Sequence, residues 1–129
     1  MAHATGTFEV KLTPQTPDDS VKQSGIVRML IEKQFHGDLE AASQGQMLAV
    51  RSSIAGSAGY VAMEHVVGTL GGRTGAFALQ HSGAMNRGEA QLTVSVVPDS
   101  GTGELAGLTG RMAITIADGR HSYDFDYAL

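Results

Sequence analysis

The stretch from Arg111 to Leu129 constrains the fold of this chain more than any other. Apolar and polar residues alternate on both sides of Asp118-Gly119, a dipeptide suited to the positive backbone angles of a two-residue hairpin turn. A turn centred there pairs Ala117 with Arg120, Ile116 with His121, Ile114 with Tyr123 and Met112 with Phe125. The last three pairs share a face with Tyr127, while Arg111, Thr115, Ser122, Asp124 and Asp126 take the other. A one-residue slip would mix the two sets, so the pattern specifies its own register. A lone hairpin is marginal in water, so the rest of the chain must supply the opposing wall.

Upstream, the same period recurs. Phe8, Val10 and Leu12 alternate with Thr7, Glu9 and Lys11 within residues 5–13. Residues 26–36 form a longer run with Met29, Ile31 and Phe35 on one face. Residues 37–45 are ambiguous: Asp38 could cap a short helix over 39–43, but an isolated helix of that length is marginal, which leaves strand or irregular structure. Further strand-like runs lie at 46–54, 60–67, 76–82 and 92–97, separated by turn signals at 56–59, 70–75, 83–88 and 98–103. The 17 glycines among 129 residues, nearly double the usual share, concentrate at these breaks. A hydrophobic content of 42% argues against a disordered, low-complexity chain. Eight or so strands joined by hairpins, with no strong helix, predict an all-β fold: an antiparallel eight-stranded closed β-barrel. It is expected to form a single domain over residues 1–129, since no internal repeat or linker divides the chain.

The absence of cysteine excludes a disulfide scaffold, a zinc-cysteine site, an iron–sulfur protein and a thiol enzyme. The net charge is −4 and the basic residues are scattered, so nucleic acid is not an expected partner. The opening MAHATGTFEV has no basic n-region or apolar h-region, and no apolar run approaches the ~20 residues of a membrane helix. No membrane partner and a cytoplasmic location are therefore expected. The glycine-rich stretch at 99–107 lacks G-x-G-x-x-G spacing and a lysine, and reads as turn chemistry. Ser52, Ser53, Ser57 and Ser82 stand in no nucleophile-elbow context.

Glu64 and His81 are the candidate acid–base pair, on strands joined by the turn at 70–75. A turn centred between Gly71 and Gly72 places Tyr60, Ala62, Glu64 and Val66 on one face with Phe77, Leu79 and His81. A turn centred half a step later puts Val61, Met63, His65 and Val67 inside instead, with Glu64 solvated beside Arg73 or Arg87. The pattern of residues prefers this second register; His81 faces inward in both. Beside the pair, Tyr60, Tyr123 and His121 could donate to a polarised carbonyl, with Phe77 on the pocket wall. His65, His81, His121 and Glu64 lack ligand spacing, so neither a metal nor a cofactor is expected. His3 and His36 read as surface or strand-end residues, and the methionines as core filler or an adaptable pocket lining. Ala62, Val66, Ala76 and Ala78 put small apolar residues on both faces of 60–82. An outer wall that apolar suggests a homo-oligomer, a dimer or higher.

Several phrases resemble the DUF3224 family of uncharacterised bacterial proteins: GSAGYVAME (56–64), GTLGGRTG (68–75), FALQHSGAM (77–85) and VVPDSGTGELAGLTG (96–110). ATGTFEV (4–10) and FHGDL (35–39) fit as well, so the likeness spans essentially the whole chain. GTGELAGLTG also resembles the turn-strand element of allene oxide cyclase and dirigent barrels. The resemblance implies a calycin-like, allene oxide cyclase-like barrel but no established reaction, and it favours the register with Glu64 inside. The expected function is binding of a small apolar molecule in the barrel, extended by acid–base isomerase or cyclase activity. Glu64 would act as base or electrostatic stabiliser, His81 as its proton partner, and Tyr60, Phe77, His121 and Tyr123 as the substrate-binding residues. The alternative is a non-catalytic ligand-binding or stress-associated accessory protein.

Overall fold

The computed structural model describes Met1–Leu129 and turns the alternating runs into nine antiparallel strands. They are β1 (Ala2–Gln15), β2 (Val27–Gly37), β3 (Leu39–Arg51), β4 (Ala58–Leu70), β5 (Arg73–Asn86), β6 (Glu89–Val96), β7 (Thr102–Gly103), β8 (Thr109–Ala117) and β9 (Arg120–Ala128). Pairing runs β4-β3-β2-β1-β9-β8-β6-β5, and β5 returns to β4, closing an eight-stranded barrel; the two residues of β7 flank β5. The sole helical segment is the 3-10 turn Asp19–Val21, and no helix is long and apolar enough to cross a membrane.

Turn chemistry sets the two decisive registers. Asp118 (φ 52) and Gly119 (φ 75) are both left-handed, as a type I′ turn requires, and β8 meets β9 with Ile116 opposite His121 and Met112 opposite Phe125. Gly71 (φ 56) and Gly72 (φ 84) form the same kind of turn between β4 and β5. That turn fixes Ala62 opposite His81 and Glu64 opposite Leu79, so Glu64 faces inward. The half-step alternative, with Val61, Met63, His65 and Val67 inside, is not adopted; these residues face solvent. Ala62 and Val66 are likewise buried in the interior, and the exposed apolar residues of this outer wall include Leu48, Val61, Met63 and Val67.

The ambiguous segment 37–45 belongs to β2, a tight link and β3. Gly37 takes φ 107 to make the link, and Asp38 caps no helix; its carboxylate accepts the Thr5 backbone N–H at 2.9 Å.

The two ends of the barrel differ. At one end Phe35, Leu39, Leu70, Phe77, Leu79 and Phe125 are buried, with Phe77 stacked on Phe125 at 6.0 Å between centroids. The loop before β8 folds across this end and inserts Leu105 and Leu108 into the core. Each fully buried leucine of this kind stabilises by about 1.5–3 kcal/mol. At the other end, β1 beyond Phe8 pairs with β2 alone, and β6 up to Val94 pairs with β5 alone. The seam between β6 and β8 consists of the single pair Ser95–Arg111. The wall therefore closes around a packed core at one end and opens into a trough at the other.

Candidate functional site

Period-two alternation carries four polar side chains into the barrel. Lys33 follows Ile31 and precedes Phe35 on the inner face of β2, and Ser43 follows Ala41 on β3. Glu64 lies between Ala62 and Val66 on β4, and His81 follows Leu79 on β5. The other three surround the Glu64 carboxylate. Glu64 Oε2 accepts from Lys33 Nζ at 2.8 Å and meets His81 Nε2 at 2.6 Å, while Oε1 accepts from the Ser43 hydroxyl at 2.8 Å. Side-chain exposure is 0% for Glu64, 5% for His81 and 7% for Lys33, so the cluster is almost dry. The Lys33 ammonium also lies 4.8 Å from the Phe8 ring centroid and 5.6 Å from that of Phe35.

Burial alone would push the Glu64 carboxyl up. The His81 hydrogen bond and the Lys33 charge outweigh it and hold the group at about 2. Glu64 is therefore ionised at neutral pH and can only accept, which makes His81 Nε2–H the donor of their hydrogen bond.

Toward the open end the inner wall is apolar. A cavity of about 530 Å³ is lined by Val27, Met29, Met47, Ala49, Ala58, Met85, Ala90 and Leu92, with Tyr60 among them. The Tyr60 ring lies over Gly83, where a Cβ would fall 2.3 Å from Tyr60 Cε1, so a glycine is needed to seat it. Burial and the charge of Glu64 push the Tyr60 phenol above its ordinary pKa and keep it protonated.

Of the residues singled out from the sequence, Glu64 and His81 are brought together and Tyr60 lines the trough. Phe77 and Tyr123 face inward but at the packed end. Phe77 is core. The Tyr123 hydroxyl accepts the Leu39 N–H and donates to the His36 carbonyl, both at 2.9 Å, pinning the link between β2 and β3. His121 packs on Phe8 at 5.2 Å between centroids and borders a separate surface cleft with Glu9 and Arg120. Lys33 and Ser43 went unnoticed in the sequence, although period two from Phe35 through Ile31 to Met29 places Lys33 on the inner face. The methionine reading acquires a place in the trough through Met29, Met47 and Met85.

His65 faces outward, away from the cluster. On the outer surface of β1 and β9, His3 bridges two carboxylates, with Nε2 2.6 Å from Asp124 and Nδ1 against Asp126. The hydrogen bond to Asp126 leads the effects that raise its pKa. His36 is also at the surface, 3.1 Å from Glu9.

The chain matches the family described as "Protein of unknown function (DUF3224)" over residues 4–127. It is similar to a crystal structure of a protein with unknown function from the DUF3224 family of Shewanella oneidensis MR-1. The two share 50% sequence identity and superpose with a TM-score of 0.93, covering 100% of this chain and 97% of that one. No protein among the curated sequences matches it.

Proposed function

The chain belongs to the DUF3224 family, a family whose description carries no activity, and we propose that it binds one small, uncharged, apolar molecule in the trough. The observation that carries this reading is the apolar cavity of about 530 Å³ above the Glu64 cluster. Its size falls in the ~300–1,000 Å³ range of ligand cavities. Three methionines in its wall, unbranched and polarizable, can adapt to the outline of a guest. An uncharged guest is favoured at the inner end because Lys33 and Glu64 neutralise each other there, while the one charged side chain lining the cavity, Arg51, is exposed at its mouth.

Turnover with Glu64 as the proton acceptor fits the geometry less well. Three donors occupy its two oxygens, and a carboxyl held at about 2 is a weak base. Glu64 is better suited to anchoring its neighbours, so binding without a Glu64-driven reaction is the preferred reading.

Titration with the uncharged fluorescent probe N-phenyl-1-naphthylamine tests it. Saturable one-to-one enhancement is expected for the wild type. Ala49→Trp, which places an indole in the trough at a half-buried position, should weaken binding at least tenfold without unfolding the protein. Equal binding by wild type and Ala49→Trp would count against the trough.

A further inference from the structure

We infer that the outer face of β3, β4 and β5 is the contact surface of a homodimer, closed by a two-fold axis running along β4. The surface lies outside the barrel and does not depend on what the trough holds. Alternation turns Val61, Met63, His65 and Val67 outward on β4, with Leu48 beside Val61 on β3. Leu48 is 46% exposed, Met63 50%, and Val61 and Val67 52% each, so four large apolar side chains lie together in water. Within residues 42–50, 59–69 and 74–84 the only Asp, Glu, Lys or Arg is the buried Glu64. The opposite wall is charged: Glu9 and Lys11 on β1, Arg111 on β8, and Asp124 and Asp126 on β9 all face outward. A sheet face that meets only water carries polar side chains, whereas depletion of charge marks the core of an interface.

A second copy of the chain fits this face because the face complements itself. Met63 stands in register with Gln46 on one side and Gln80 on the other, and Val67 with Ala42 and Ala76. A two-fold axis along β4 sets each row on its own reverse, within the usual twist of stacked sheets. Met63 then meets Met63, Val67 meets Val67, and Gln46 meets Gln80 of the partner subunit. Each glutamine amide gains a partner able both to donate and to accept, which a purely apolar surface would deny it. Ala42 against Ala76 lets the two backbones approach. A groove of about 430 Å³ beside Leu48, Val61, Met63 and Gln80 gives the flexible methionine of the other copy a place to enter. By symmetry each copy supplies both knob and groove. The half-exposed apolar side chains, with the glutamines and alanines around them, present on the order of 800 Å² on each copy, the share a standard stable interface takes from one partner.

Sedimentation equilibrium of the full chain at micromolar concentration should give twice the chain mass of 13.5 kDa. Met63 is half exposed, so Met63→Glu should keep its far-UV spectrum and sediment as a monomer. Its dissociation constant should rise by more than about a hundredfold, because two carboxylates are forced together at the axis. Ala113→Lys, on the charged wall, should remain a dimer. The chain has no cysteine, so an introduced thiol is unique. A short bis-maleimide should join Val61→Cys to its own copy and Val67→Cys to its own copy, but not Ala113→Cys. A monomeric wild type, a trimer, or a dimer that survives Met63→Glu would overturn the proposal. So would self-cross-linking at only one of Val61 and Val67, or at neither, because an axis across the strands brings at most one row onto itself.

Discussion

Lys33 and Glu64 have almost no contact with water, and each makes the burial of the other tolerable. Removing one partner strands a charge in the barrel, which costs about 3–5 kcal/mol, whereas replacing both with apolar or neutral groups of similar volume is far less damaging. Glu64→Gln and Lys33→Met should each lower the stability measured by urea unfolding by that amount. The double variant should recover most of it, giving a large coupling energy in the double-mutant cycle. The same carboxylate sets a pH dependence. Its folded pKa of about 2 lies below the ordinary 4.5, so its contribution is complete above pH 4.5 and fades as pH falls toward 2. The wild type should therefore lose roughly 3 kcal/mol more than Glu64→Gln over that interval. A constant difference between the two proteins across the interval would contradict the assignment.

At the scale of the elements, the loop carrying Leu105 and Leu108 closes one end of the barrel while the trough occupies the other. Leu105→Ala should destabilise by about 2–5 kcal/mol, because a fully buried side chain is replaced by a cavity. The affinity of the folded protein for N-phenyl-1-naphthylamine should stay within a factor of two or so, since the lesion lies at the far end. How much the sequence discloses also differs by element. The β8–β9 hairpin is legible because its alternation is clean and Asp118-Gly119 fits only one kind of turn. The β4–β5 register is not, because both faces of β4 are apolar: Val61, Met63 and Val67 outside are as hydrophobic as Ala62 and Val66 inside. Two left-handed glycines settle what hydrophobicity leaves open. The candidate site divides along another line. Period two reveals which face a side chain takes but not its depth along the barrel, so Tyr60, Phe77 and Tyr123 all read as inward although only Tyr60 reaches the trough. Lys33 and Ser43 escape notice because the apolar members of their runs dominate the alternation. Nothing local announces that both converge on Glu64 from other strands.

For the molecule as a whole, closure at one end and opening at the other imply two levels of local stability. Amides near Phe125 and Leu79 lie in strands paired on both edges around a buried core, and their exchange requires opening that core. The edge-facing amides of β6 between Ala90 and Val94, and those of β1 beyond Val10, have no strand on their free side. Native-state hydrogen exchange should therefore be fast at these edges and slowest around Phe125. A guest in the trough bridges β2, β3, β4, β5 and β6, so it should oppose any opening that separates those strands. With N-phenyl-1-naphthylamine at 100 times its dissociation constant, such openings should become about 100-fold rarer. Ladder amides between β4 and β5 around Tyr60 should slow by that factor, if the separation of these strands destroys the site. Amides of the β8–β9 turn, whose fraying leaves the trough intact, should exchange at an unchanged rate. Slowing of the turn with no effect around Tyr60 would place the bound molecule elsewhere and remove the trough from the function of this protein.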